Sequence, residues 1–169
     1  MRTEQTEGTR LYRLVLQFCT FWALMGGLVL LAVVGINVVS IVGSATTGQA
    51  VPGDFELTEM GVAVAAFAFL PYCQIAGLNV TADIFTARAG PVLLSVFALL
   101  GALIALGFSV LMTWSMWRGM EDQRTYDYTT AILQIPSWWG FAAATVSLGL
   151  LVVASYASLT HSWRTFGQG

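Results

Sequence analysis

The stretch Pro52-Gly53-Asp54-Phe55-Glu56-Leu57-Thr58-Glu59-Met60, continued by GVAVAAFAFLPYCQIAGLNVTAD through Asp83, decides the fold. It opens on a Pro-Gly turn signal. An acidic run follows at 54–59, and then Met60 to Leu78 carries no charge at all. An apolar run of about 20 residues is what a helix needs to cross the hydrocarbon core of a bilayer. With polar groups at both ends, the segment reads as a transmembrane helix. Asp54 is placed as its N-cap. Glu56 and Glu59, spaced i, i+3, share one face of the first turn, where carboxylates suit the positive end of the helix dipole. Whether 54–60 continues the span or forms a short interfacial amphipathic helix before it is left open by the sequence alone. Pro71 cannot donate to the carbonyl of Phe67, so it bends the helix or leaves that carbonyl for a neighbour to satisfy.

Outward from this segment the chain is more of the same. It has 169 residues, of which 57% are hydrophobic and 9% charged. A soluble domain carries about 25% charged residues, so this chain cannot clothe a water-facing surface and is an integral membrane protein. Three further apolar runs, at about 14–42, 90–117 and 136–160, bring the total to four spans in a single all-α membrane domain over 1–169. The first run is too long for the core of a signal peptide and reads as a retained helix. Residues 118–134 form the longest polar connector, in which Arg118 and Asp122 are spaced to pair on one helical turn. Trp22, Trp114, Trp117, Trp138, Trp139 and Trp163 fall near span ends, where aromatic rings favour the headgroup layer.

The seven basic residues are all arginine. With the N-terminus inside, Arg2, Arg10, Arg13, Arg88 and Arg164 are cytoplasmic, against Arg118 and Arg124 outside. The positive-inside rule then favours N-in, C-in. That orientation puts the acidic run on the outer side and Asp83 on the cytoplasmic side.

The sequence offers few groups for chemistry. No span holds Asp, Glu, Lys or Arg in its middle, where proton relays and ion paths keep such residues. A lone histidine, His161, does not provide paired haem ligands. Cys19 and Cys73 lie within apolar runs and read as small buried residues. No zinc spacing, phosphate loop or basic patch for nucleic acid is present. The chain is therefore read as a non-enzyme, with no catalytic, cofactor or metal residues. The candidates that remain are partner or interface residues. Asn37, the one strongly polar group inside span one, suits an interhelical hydrogen bond. Glu56 and Glu59 either stabilise the helix start or meet a partner. Asp83, near Arg88, closes the span at its far end. Gly140 and Ala144 form a small-xxx-small pair for close helix contact.

At this point 52–83 resembles the small membrane subunit (Q subunit) of tripartite ATP-independent periplasmic (TRAP) transporters. The resemblance rests on Pro52 to Leu57, on Ala66 to Gln74, and on Gly77-Leu78-Asn79-Val80-Thr81-Ala82-Asp83. Glu56 falls on the family's Glu-Leu at the start of the second helix, and Asp83 on the final Asp of its Gly-Gly-His-Ile-Arg-Val-Asp type motif. Asn79 and Thr81 stand where His and Arg are commoner. Ile135-Pro136-Ser137-Trp138 resembles the opening of the family's fourth helix. The resemblance implies a small permease subunit of a sodium-coupled solute importer in a bacterial or archaeal cytoplasmic (inner) membrane. It would brace a large multi-helix permease subunit and help dock an extracytoplasmic substrate-binding protein that delivers an organic acid. No cofactor is implied for this chain, and sodium coupling belongs to the large subunit. Lipids are the remaining partner. The other reading of the residues is a self-associating four-helix membrane scaffold or small channel.

Overall fold

The computed structural model describes residues 2–77 and 91–166. Asp83, Arg88 and the 79–83 motif lie outside the described residues. The described residues form four helices: α1 (Arg2–Thr47), α2 (Asp54–Ile75), α3 (Pro91–Thr125) and α4 (Trp138–Phe166). Each contains a stretch long and apolar enough to cross a membrane, at Tyr12–Thr47, Asp54–Ile75, Leu99–Thr125 and Trp138–Thr160.

The helix boundaries differ from the apolar runs, and two of the differences bear on the site. α2 starts at Asp54 and is continuous, so the acidic run is its first turn and not a separate surface helix. α3 runs past Trp117 to Thr125. Its Arg118-Gly119-Met120-Glu121-Asp122-Gln123-Arg124 segment is polar but mostly made of good helix formers, so the helix persists where the hydropathy stops. α1 is 46 residues long. At 1.5 Å per residue that is about 69 Å, more than twice the ~30 Å hydrocarbon core, so it must tilt or project beyond the lipid.

Packing is lopsided. α2 and α4 lie against each other in the middle, α1 packs on α2 and α3 on α4, with a lesser contact of α1 on α4. The helices therefore follow the order α1, α2, α4, α3. Only 6% of the most apolar stretch of α3 is buried, against 39% of that of α4. α3 thus leaves most of its apolar surface to lipid or to another protein.

Small residues set the α1–α2 contact. A Cβ added at Gly26 would fall 2.8 Å from Ala68 Cβ, and one at Gly61 would run into the Val33 side chain. Gly61, Ala65 and Ala68 lie at i, i+4 and i+7, one face of a helix, and both alanines are buried. Such close backbone approach supplies the dispersion contact that holds helices together where the solvent is itself apolar.

At the Ile75 end of α2, Cys19, Ile75, Ala154 and Ala157 form a buried cluster flanked by Tyr12, Val15, Leu16 and Tyr72. The Tyr12 hydroxyl donates to the Ile75 carbonyl at 2.8 Å, which satisfies one of the last carbonyls of α2. Pro71 is fully buried in the same region, and α2 continues through it to Ile75.

Candidate functional site

Asn37, Glu56 and Glu59 gather at the opposite end, where α2 begins. The N-cap is Gly53, at φ +77°, which makes no side-chain cap bond. This corrects the expectation for Asp54, which is the first helical residue. Its carboxylate turns to α1 and the incoming loop: Ser40 Oγ donates to Oδ2, and the Phe55 N–H donates to Oδ1 at 2.7 Å. Ser40 Oγ also accepts from the Val51 N–H at 3.1 Å. One turn further into the bundle, Asn37 Nδ2 donates to Thr58 Oγ1 at 2.7 Å and to the Val33 carbonyl at 2.9 Å. Thr58 Oγ1 in turn donates to the Asp54 carbonyl at 2.7 Å. Asn37, Ser40, Asp54 and Thr58 therefore form one hydrogen-bonded set that fixes the α1–α2 hairpin.

Glu56 does something different. Its Oε1 accepts the Ile132 N–H at 2.7 Å, and its Oε2 accepts the Leu133 N–H at 3.0 Å. Both amides belong to the α3–α4 connector. That connector is itself closed by Ser137 N–H to the Tyr128 carbonyl (2.9 Å) and Thr130 N–H to the Ile135 carbonyl (3.0 Å), and by an isolated bridge between Thr129 and Pro136. Leu133 lies directly over Gly53, where any Cβ would collide with it. Glu56 is thus a clip between the start of α2 and the second hairpin. Charge-assisted bonds to backbone donors are the stronger kind.

Glu59, one turn on, is exposed. With Phe55 and Glu56 it lines the end of a trough of about 600 Å³ nearest the start of α2. Met60, Ala63 and Phe67 line it further along α2, with Gly140, Phe141 and Ala144 on the α4 side. Ala144 is buried, and Gly140 lies opposite Met60, whose Cε would be 3.4 Å from an added Cβ. The small pair therefore faces α2.

Several contributors were not singled out in the sequence. The Trp22 indole N–H crosses to Ser147 Oγ at 2.9 Å, so this ring ties α1 to α4 and does more than mark an interface. Gly26, Ser40, Gly61 and Leu133 carry contacts that no motif announces, although the 61–65–68 small-residue spacing was readable. Arg118 lies over the Trp114 ring, 4.2 Å from its centroid, and not with Asp122. Trp117 Nε1 donates to Glu121 Oε1 at 3.1 Å, and Arg124 lies 5.9 Å from the Trp138 ring centre. Aromatic and charged groups thus share the ends of α3 and α4, as at a membrane–water boundary.

Comparison with curated proteins and with solved structures returned no match. The family model for tripartite ATP-independent periplasmic transporters, DctQ component, matches residues 33–165. That region takes in the Asn37–Thr58 contact, the Glu56 clip, the trough and most of α4. With four helices able to cross a membrane, the chain is a multi-pass membrane protein, and it belongs to the DctQ component family of tripartite ATP-independent periplasmic transporters.

Proposed function

We propose that this chain is the small permease subunit of a sodium-coupled importer in a bacterial or archaeal inner membrane, oriented N-in and C-in. It braces a large multi-helix permease subunit and, through its acidic outer end, helps dock an extracytoplasmic substrate-binding protein. Substrate and sodium sites fall to the large subunit, and this chain needs no cofactor.

The observation that supports the reading is the exposed apolar surface of the two outer helices, α1 and α3. Leu100, Leu103, Ile104, Leu111 and Trp114 are all exposed and recur at helical spacing on one side of α3. Such a face suits a stable helical partner within the bilayer. The polar groups between helices support a static role: Asn37, Trp22 and Tyr12 are directed at Thr58, Ser147 and the Ile75 carbonyl of the same chain.

The test is co-purification in mild detergent with the large permease subunit encoded beside it. A stable complex is expected, with this chain monomeric when expressed alone. A uniform homo-oligomer of the isolated chain, together with failure to bind the large subunit, would turn the assignment to a self-associating scaffold.

A further inference from the structure

The trough beside α2 has the proportions of a lipid site. Its apolar lining on α2 extends from Met60 to Phe67, which at 1.5 Å per residue is about 10 Å along the helix. That is roughly two-thirds of one leaflet's share of the hydrocarbon core, about 15 Å or half of ~30 Å. A volume of about 600 Å³ falls within the ~300–1,000 Å³ of ordinary ligand pockets.

The trough exists because small residues line it where large ones would close it. Ala63, Gly140 and Ala144 fill little of the space between α2 and α4, while α3 contributes only Met116 and Gln123. The chemistry is graded along its length. Glu56 and Glu59 stand at the end where the span meets the headgroups, and Met60, Ala63, Phe67, Phe141 and Ala144 line the wall below. Among the described residues that line it, none is basic. Glu56 accepts the Ile132 and Leu133 amides, and Thr130 and Ala131 are directed at it as well, which fills the about four acceptor positions of a carboxylate. The exposed Glu59 beside it is the carboxylate open to a cation.

We infer that this trough binds a phospholipid with a primary ammonium headgroup, of the phosphatidylethanolamine class, its ammonium at Glu59 beside the Glu56 clip and one acyl chain along Met60, Ala63 and Phe67. The order of charge followed by chain in such a lipid matches the order of carboxylate followed by apolar wall. An anionic headgroup would place its net negative charge against two carboxylates. A lipid there would fill the gap between α2 and α4 beneath the Glu56 clip, supporting the connector from the membrane side.

The experiment uses the full chain in mild detergent, alone and in complex with the large permease subunit. It is exposed to phosphatidylethanolamine, phosphatidylcholine or phosphatidylglycerol of identical acyl chains, and retained lipid is counted by native mass spectrometry. Phosphatidylethanolamine is expected to be retained about fivefold over phosphatidylglycerol, the upper reach of one exposed ion pair. Glu59→Gln should bring that ratio toward unity, and Ala63→Phe should remove the retained lipid. Should Ala63→Phe fail to fold, the exposed Glu59→Gln variant still decides. Equal retention of the three lipids, unchanged in Glu59→Gln, overturns the inference. So does a photocrosslinker at position 67 that captures the large subunit and no lipid in the complex, because the trough would then be a protein socket.

Discussion

Gly26 and Gly27 are adjacent on α1 but stand in opposite surroundings. A Cβ at Gly26 would fall 2.8 Å from Ala68 Cβ, with the Ala65 carbonyl oxygen at 3.4 Å, whereas one at Gly27 meets nothing within 4 Å. Carbon atoms in good contact stand about 3.5–4.0 Å apart, so Gly26→Ala must drive α1 from α2 by close to 1 Å. Overpacking of this kind costs about 1–3 kcal/mol. The helix-propensity change from Gly to Ala is common to both variants and drops out of their difference. Gly26→Ala should therefore be less stable than Gly27→Ala by about 2 kcal/mol, some 30-fold in the folding equilibrium. Reversible unfolding of the purified chain in mixed micelles, titrated with sodium dodecyl sulfate, reads this difference. Adding Ala68→Gly to Gly26→Ala removes the colliding methyl and should restore most of the loss, with the coupling taken from the double-mutant cycle. If Gly26→Ala were as stable as Gly27→Ala, or Ala68→Gly gave no rescue, the close α1–α2 approach would be refuted.

Asn37→Leu removes the bond to Thr58 Oγ1 but leaves Thr58 bonded to the Asp54 carbonyl, so no hydroxyl is orphaned. The cost should be about 1 kcal/mol, within the range of interhelical hydrogen bonds in bilayers, measured by the same titration. Glu56→Ala deprives the Ile132 and Leu133 amides of their acceptor, and hydrogen exchange at those two positions should quicken while Glu59→Ala leaves them unchanged. Gly53→Ala meets both a left-handed backbone at φ +77° and the Leu133 side chain. It should cost about 1–2 kcal/mol from the backbone alone and loosen the connector further, so Ile132 exchange should quicken here too.

The four spans were legible because a bilayer imposes one simple demand, length without charge, and hydropathy reads that directly. The ends were less so. α3 emerges from the apolar region as a helix, and the residues from Arg118 to Thr125 carry no hydropathy signal of it. Asp54 looked like an N-cap because it follows Pro-Gly, but Gly53 takes the left-handed conformation and the cap position with it. Asn37 could be recognised as an interhelical group, yet nothing in the sequence selects Thr58 as its partner, since that depends on the rotation of α2 about its axis. Glu56 was visible as a helix-start carboxylate or a partner contact, but not as a clip to the α3–α4 connector. Its partners are backbone amides, which every residue possesses and no sequence pattern marks.

The Glu56 clip also has a consequence for how the chain is made. Glu56 and Ile132 are 76 positions apart. During synthesis the carboxylate reaches its side of the membrane well before its acceptor role can be filled. It gains its two amides only after α3 has crossed and the connector has emerged on that same side. A second hairpin left on the wrong side would strand both Glu56 and the Ile132–Leu133 amides. The contact therefore distinguishes a correctly threaded chain from a misthreaded one, and works as an internal check on insertion.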